Sequence, residues 1–555
     1  MLLATIDSSI TMIAMPDIFR GIHLNPLVPG NSFYLLWMIL GYIIVTSVLV
    51  VTLGRLGDMY GRVRMYNLGF VIYTTASLLL TIDWMTGSVG ADWLIGMRIV
   101  QGIGGAFLMA NSAAILTDAF PANQRGRALG INSIAAIAGG FIGLVMGGIL
   151  APIDWRLVFL VSVPFGLFGT IWAYLKLRDS GFRRREPIDW WGNATFAIGL
   201  TLLLVGITYG IEPYGKSTMG WTNPHVLGEI GLGVLFLLGF VVWQTRSRYP
   251  LFRLSLFRIR AFTFGVLASF FSAVARGGLM FMMIIWLQGI WLPLHGFNFT
   301  ITPLWAGIYM IPLSAGFLLA GPISGYLSDR FEPRLFATGG MFASACAFGL
   351  LLALPVDFAY PAFGASLLLV GLSMGAFASP NRASVMNSLP PEHRGAGAGM
   401  STTFQNSAQV LSMGIFFSLM IIGLAATLPR TLLAGLVAHG VPQAAAAPIA
   451  HLPPVSILFA SFLGYNPIQQ LLGPTVMAHL SRADVAALTG RSFFPSLIST
   501  PFHAGLHEAL AFAVVACLIA AVASWSRGRR YIHGQATPAP ETERRENPEG
   551  AESAE

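Results

Sequence analysis

Charge is unusually scarce in this chain. Only 10% of its 555 residues are Asp, Glu, Lys or Arg, 55% are hydrophobic, and mean hydropathy is +0.70. Soluble domains carry roughly 25% charged residues, so a water-soluble globular protein is excluded. Cysteine is scarcer still. Cys346 and Cys517 both sit inside apolar runs, which excludes a disulfide-stapled scaffold and reads as two packed thiols. There is no G-x4-G-K-[ST] phosphate loop, so ATP is not the energy source, and no motif couples a nucleophile to a base, so no enzyme is expected. His503 and His507 stand four apart but lack a nearby third ligand, so no metal is expected. The apolar runs also lack the period-two alternation of a membrane barrel.

What remains is a series of fourteen apolar runs, from about residues 1–15 to about 507–525, most of them near the ~20 residues a helix needs to cross a bilayer. An all-α membrane protein follows. The net charge of +8 is not a nucleic-acid footprint, because the basic residues fall in alternate loops. Arg55, Arg62, Arg64, Arg183, Arg184, Arg185, Arg246, Arg253, Arg330, Arg394 and Arg530 lie on one side, against Arg20, Arg156, Arg430 and a few others on the opposite side. The positive-inside rule makes the first side cytoplasmic, with both termini inside the cell (inner) membrane. The first run is short: Met1–Met15 reaches only ~22 Å as a helix, so the expectation is an upstream start or a first helix completed differently.

The chain also repeats itself. "GRLGDMYGRVR" (54–64) is echoed by "GYLSDRFEPR" (325–334), with Asp58 and Asp329 separated by 271 residues, and "LTDAFPANQRGRALG" (116–130) by "MNSLPPEHRGAGAG" (386–399) at almost the same offset. Two echoes at one offset indicate a duplicated six-helix unit, as in many secondary transporters. The expected organisation is a six-helix bundle over 1–180, two inserted helices with flanking loops over 181–250, and a second six-helix bundle over 251–530. An extracytoplasmic insert at 428–506 lies within the second bundle and offers a surface for a partner. A disordered tail over 531–555 completes the chain.

The loop signature "GRLGDMYGRVR" resembles that of the major facilitator superfamily. "RIVQGIGGA" (98–106), "DWRLVFLVSVPFG" (154–166) and "IIWLQGIW" (284–291), with the fourteen-helix layout, look like its drug:proton antiporter branch. The resemblance implies two pseudo-symmetric six-helix halves plus two extra central helices, working by alternating access. It further implies a cytoplasmic gate formed by Gly54, Asp58, Gly61, Arg62 and the echo Asp329 and Arg330, with Gly54 and Gly61 turning the loop. Met59 stands where the family usually carries arginine. Gly139, Gly143, Gly147 and Gly148 fall on the antiporter-helix glycine pattern, with Leu144 in place of its proline.

Ionisable groups at membrane depth are functional by default. The resemblance implies proton-coupling roles for Asp7 in "ATIDSSITMIAMP" and for Arg98, with Gln101 beside it in the same span as a further candidate. Arg276, in the first helix of the second half, is expected to line the central cavity and to interact with Asp7 across it. Met280, Met283, Trp286, Gln288, Gln405, Asn406 and Gln409 form a candidate pocket for bulky apolar ligands. The reading is a monomeric, cofactor-free exporter of small amphipathic compounds driven by the proton gradient. One alternative keeps the fold and changes the cargo to a lipid-like molecule; another is a membrane scaffold or sensor that moves nothing. Met59→Arg, which restores the expected loop arginine, is predicted to favour the outward-facing state. Lower cytoplasmic accessibility in cysteine labelling is the expected result.

Overall fold

The computed structural model describes residues 1–528 except 29, 121–124, 178–188, 216, 391–393 and 465, and omits the side chains of 117, 125–130, 133, 329, 394 and 395. The tail at 531–555, the charged loop at 181–188 and the side chains of Asp329, Arg125 and Arg394 therefore lie outside the described residues.

Among the described residues there are fourteen long helices. The first half contains α1 (Leu2–Gly21), α2 (Asn31–Tyr60), α3 (Arg62–Thr81), α4 (Gly87–Ala119), α5 (Arg125–Leu150) and α6 (Leu157–Lys176). Two additional helices follow, α7 (Trp190–Tyr209) and α8 (Pro224–Arg246). The second half contains α9 (Arg260–Leu294), α10 (Thr302–Tyr309 continued as Ile311–Arg330), α11 (Pro333–Leu352), α12 (Tyr360–Asn387), α13 (Arg394–Ala438) and α14 (Phe493–Ser526). Twelve of these are long and apolar enough to cross a membrane, rather than the expected fourteen. The other two are α3, which opens on Arg62 and Arg64, and α5, whose described apolar stretch is Ile134–Leu150.

Several expectations change at the level of single helices. Helix α1 runs straight through Pro16 and is 20 residues long, about 30 Å at 1.5 Å per residue, so it is not short. Helix α13 continues through Pro429 to Ala438, and α14 begins at Phe493. The insert between them is therefore 439–492, narrower than 428–506. It consists of short helices, two of which, Gln443–Ala450 and Pro454–Phe462, meet at 89°. Cys517 is buried as expected, but Cys346 is exposed on the outside of the bundle and is not a packed thiol.

Local chemistry sets the helix ends. Gly61 takes φ +110°, which a residue with a Cβ rarely adopts, and so ends α2 and starts α3 without a linker. Gly54, by contrast, lies within α2 and turns nothing; its role is close approach to α4, where it faces Ala110. Asn223 caps α8 by accepting a hydrogen bond from the His225 amide at 3.0 Å, with Pro224 at the first helical position. The added pair packs glycine-to-backbone, with Gly199 against Leu237 and Gly233 against Leu203. It docks on α2 through Thr52, which donates to Asn193 Oδ1 at 2.7 Å, and on α13 through Ile207 against Gly414.

The loop after α7 contributes a titratable contact. Ser32, at the start of α2, donates to Glu212 Oε2 at 3.2 Å, and Glu212 Oε1 is buried without a hydrogen-bond partner. Burial raises this carboxyl from an ordinary 4.5 to about 7, with the Ser32 hydrogen bond opposing. A raised acid favours its protonated form in the docked loop. The stability it contributes is complete below pH 4.5 and is lost as pH rises through about 7. Thermal unfolding of the purified protein between pH 5.5 and 8.5 is therefore expected to show a falling midpoint that Glu212→Gln flattens.

Candidate functional site: a one-sided cavity backed by a buried ion pair

A cavity of about 1810 Å³ runs between the two halves. Its wall reaches Asp58, Met59, Arg62, Asp118 and Lys176 at one end, and Met12, Met280 and Met310 in depth. Asp58 and Lys176 are exposed, so the cavity opens at the Asp58 end.

The far end is closed by aromatic packing. Trp291 stacks on Phe358 at 4.9 Å and on His295 at 3.8 Å, Trp286 meets Phe358 edge-on at 4.8 Å, and Phe358 stacks on Phe363 at 4.4 Å. Here α9 widens into a π-turn over Trp286–Trp291. The insert helix Pro454–Phe462 is buried along its whole length and packs on that turn. Phe462 backbone lies against Gly289, and Ser461 Oγ donates to the Gly289 carbonyl at 2.8 Å. Gln288 Nε2 donates to the Ile13 carbonyl at 3.2 Å and ties the second half to α1. Met283, Trp286 and Gln288 are therefore closing elements and do not line the cavity, contrary to expectation. Met280, Gln405, Asn406 and Gln409 do line it.

Behind the first-half wall lies a polar cluster with no exposure to speak of. Asp7 is 0%, Arg98 2% and Gln101 0% exposed. The Arg98 guanidinium pairs with Asp7 Oδ2 and donates to Gln101 Oε1 at 2.7 Å. Gln101 Nε2 donates to Asp7 Oδ1 at 3.0 Å and to Ser77 Oγ at 2.9 Å. Arg98 Nε also reaches the Met38 carbonyl at 3.3 Å, and the guanidinium lies 4.7 Å from the Tyr42 ring centroid. The three proton-coupling candidates thus form one network between α1 and α4, with α2 and α3 as supports. Arg276 is not part of it. It sits on α9 across the cavity, and the expected Asp7–Arg276 interaction is replaced by Asp7–Arg98, because α4 packs close enough to α1 to satisfy the carboxylate first.

The glycine pattern of α5 explains how α1 is held. A Cβ on Gly139 would strike Leu2 and Thr5, one on Gly143 would strike Ile6 and Ser9, and one on Gly147 would strike Ile13 and Ile10. Three glycines on one stripe therefore seat α1, with Asp7 in its midst, directly against α5. Gly148 faces the other way, onto Pro303 and Leu304 of α10, and a Cβ on Gly307 of α10 would strike the Leu144 carbonyl. Helix α5 is accordingly sandwiched between the helix bearing Asp7 and the seam between halves.

At the mouth, Arg62 bridges Asp58 at 2.7 Å and Asp118, at the end of α4, also at 2.7 Å. Asp118 was not expected as a partner, although it lies in the repeated stretch "LTDAF"; only folding reveals that α4 ends beside the turn. Arg330 is exposed and lies over Tyr326, 4.8 Å from the ring centroid. The two echoed motifs occupy equivalent turns, α2 to α3 and α10 to α11.

The family model described as Major Facilitator Superfamily matches residues 1–413. The chain belongs to the Major Facilitator Superfamily. It is 28% identical over 419 residues to the riboflavin transporter RibZ of Clostridioides difficile, covering 75% of this chain and 85% of that one. It is 25% identical to the tetracenomycin C resistance and export protein of Streptomyces glaucescens, over 74% and 71% of the two chains. It is also 25% identical to the multidrug transporter protein MdtP of Bacillus subtilis, over 73% and 71%. Among solved structures, a bacterial homologue of the human lysosomal transporter Spinster, inward-facing and occupied, shares its fold with TM-score 0.54 at 16% identity, covering 97% and 96%. The protein is thus a multi-pass membrane transporter of this superfamily.

Breaking a buried pair by removing one partner costs about 3–5 kcal/mol, because the other charge is left uncompensated. Arg98→Ala is expected to lower the thermal stability of the purified transporter accordingly. The neutral double variant Asp7→Asn/Arg98→Gln should recover most of that loss, and equal losses would show that the pair is not the source.

Proposed function

We propose that this superfamily transporter exports amphipathic organic compounds across the cell (inner) membrane against an inward flow of protons. The Asp58 end and both termini are cytoplasmic in this reading, as the alternate-loop distribution of arginine suggests. The observation that carries the proposal is the Asp7–Arg98–Gln101 network, a buried acid on the helix that the α5 glycine stripe seats, paired with an arginine that reaches the cavity wall.

The chemistry follows from what each group can hold. When Asp7 takes a proton it loses its charge attraction to Arg98. The guanidinium keeps Gln101 Oε1, the Met38 carbonyl and the Tyr42 face, so the cation stays solvated by protein. The link that weakens is the one between α1 and α4. Because α1 lies on Gly139, Gly143 and Gly147 and α5 lies on α10 through Gly148, a shift of α1 is felt at the seam between halves. Loading the cavity from the Asp58 side, rocking the halves and releasing the proton inward then complete an alternating-access cycle. The names of the export relatives support an export direction, whereas the riboflavin transporter shows that relatives at this level of identity differ in cargo.

A second cargo reading has one observation behind it. A cavity of about 1810 Å³ exceeds the roughly 300–1,000 Å³ of drug-sized pockets, which suits a lipid-like molecule. Proteoliposomes with a pH-sensitive dye inside, challenged in parallel with amphipathic drugs and with a fluorescent lipid, separate the cargoes. Under an imposed pH gradient, substrate-dependent proton flux is expected, and Asp7→Asn is expected to abolish it. Flux that persists in Asp7→Asn would remove Asp7 from coupling, and no flux with any compound would favour a scaffold that moves nothing.

A further inference from the structure

The cavity has a lopsided charge. The acidic residues on its wall are Asp58 and Asp118, both at the mouth and both bound to Arg62. Arg98 is neutralised by Asp7 from behind. The second-half wall carries Arg276 on α9, and none of the described lining residues of that half is acidic. Arg276 makes no hydrogen bond and no ion pair with any described residue, and its exposed side chain lines the cavity.

This cation is held in place. Ser412 Oγ of α13 donates to the Val274 carbonyl and accepts from the Gly278 amide at 2.9 Å, which clamps the backbone on both sides of Arg276. Gln409 backbone packs on Gly277, so the amide side chains of α13 that reach the cavity, Gln405, Asn406 and Gln409, share its wall. The rest of the depth is apolar, with Met280, Met310 and Phe317 on the lining. An ionisable side chain that faces a cavity at membrane depth points to a substrate or ion path, and the planar guanidinium fork suits a carboxylate, phosphate or sulfonate.

Resting on the transporter reading, we infer that the cavity takes an anionic amphipath, whose oxyanion seats on Arg276 and whose apolar body lies against Met280, Met310 and Phe317. A cationic amphipath meets only like charge in that half. The chemistry is shared by two sources, a soluble organic anion and an anionic lipid headgroup.

The full chain in phosphatidylcholine nanodiscs, titrated calorimetrically with octyl phosphate, octyltrimethylammonium and octyl glucoside below their micelle concentrations, tests this. Octyl phosphate is expected to bind about tenfold or more tightly than the other two, the scale of one charge-assisted hydrogen bond. Arg276→Gln should erase that preference and Arg276→Lys should retain part of it, with thermal unfolding checked for both. Equal binding of the three heads, preference for the cation, or an unaltered preference in a folded Arg276→Gln protein would overturn the inference. Repeating the titration with phosphatidylglycerol in the disc assigns the source. Competition by the lipid supports the inference with a lipid headgroup, and undiminished octyl phosphate binding supports it with a soluble anion. Binding is read without transport, so anion binding without proton flux sinks the exporter and leaves this site standing.

Discussion

A bilayer offers no water to a buried charge, so each ionisable group at depth must find its partner inside the protein or face a water-filled cavity. The two halves meet that demand in opposite ways. In the first half Asp7, Arg98 and Gln101 satisfy one another with help from Ser77 and the Met38 carbonyl. In the second half Arg276 is clamped in position by Ser412 and is left to the cavity. The asymmetry is imposed on a duplicated scaffold whose turns at Asp58 and Asp329 still match. Leu368 stands at the repeat position of Arg98, so the second half cannot build the same network.

Small residues convert that local chemistry into a mechanical link. Gly139, Gly143 and Gly147 let α1 lie on α5, and Gly148 lets α5 lie on α10. The helix that holds the acid is therefore two helix contacts from the seam between the halves. With leucine at 144 the backbone still lies close to Gly307 across the seam, where a Cβ would strike the Leu144 carbonyl. At the far end the insert adds a brace. Helix Pro454–Phe462 lies against the π-turn of α9, where Gly289 permits backbone contact with Phe462. Closure at that end thus involves residues distant in the chain from the helices they cover.

The gate loop shows the same economy. Met59 lines the mouth where the family pattern has arginine, yet the turn retains an ionic staple, because Arg62 engages Asp58 and Asp118 together. The staple joins α2, α3 and α4 and holds the first half as one body. It does not cross to the second half.

Composition alone determined that the protein is a bundle of membrane-crossing helices, since scarce charge and long apolar runs have no other stable solution. The echo of Asp58 at Asp329 pointed to a duplicated bundle, and polar residues inside apolar runs marked Asp7, Arg98, Gln101 and Arg276 as candidates for function. Pairing was a matter for the tertiary structure. Nothing in the spacing distinguishes Arg98 from Arg276 as the partner of Asp7, because the choice depends on how closely α4 and α9 approach α1. The same holds for Trp286 and Gln288, which pattern as pocket residues but are packed shut by an insert whose fold no local signal reveals. Sequence is local and names the groups that are expensive to bury; three-dimensional packing decides which of them are satisfied and which one is left facing the cavity.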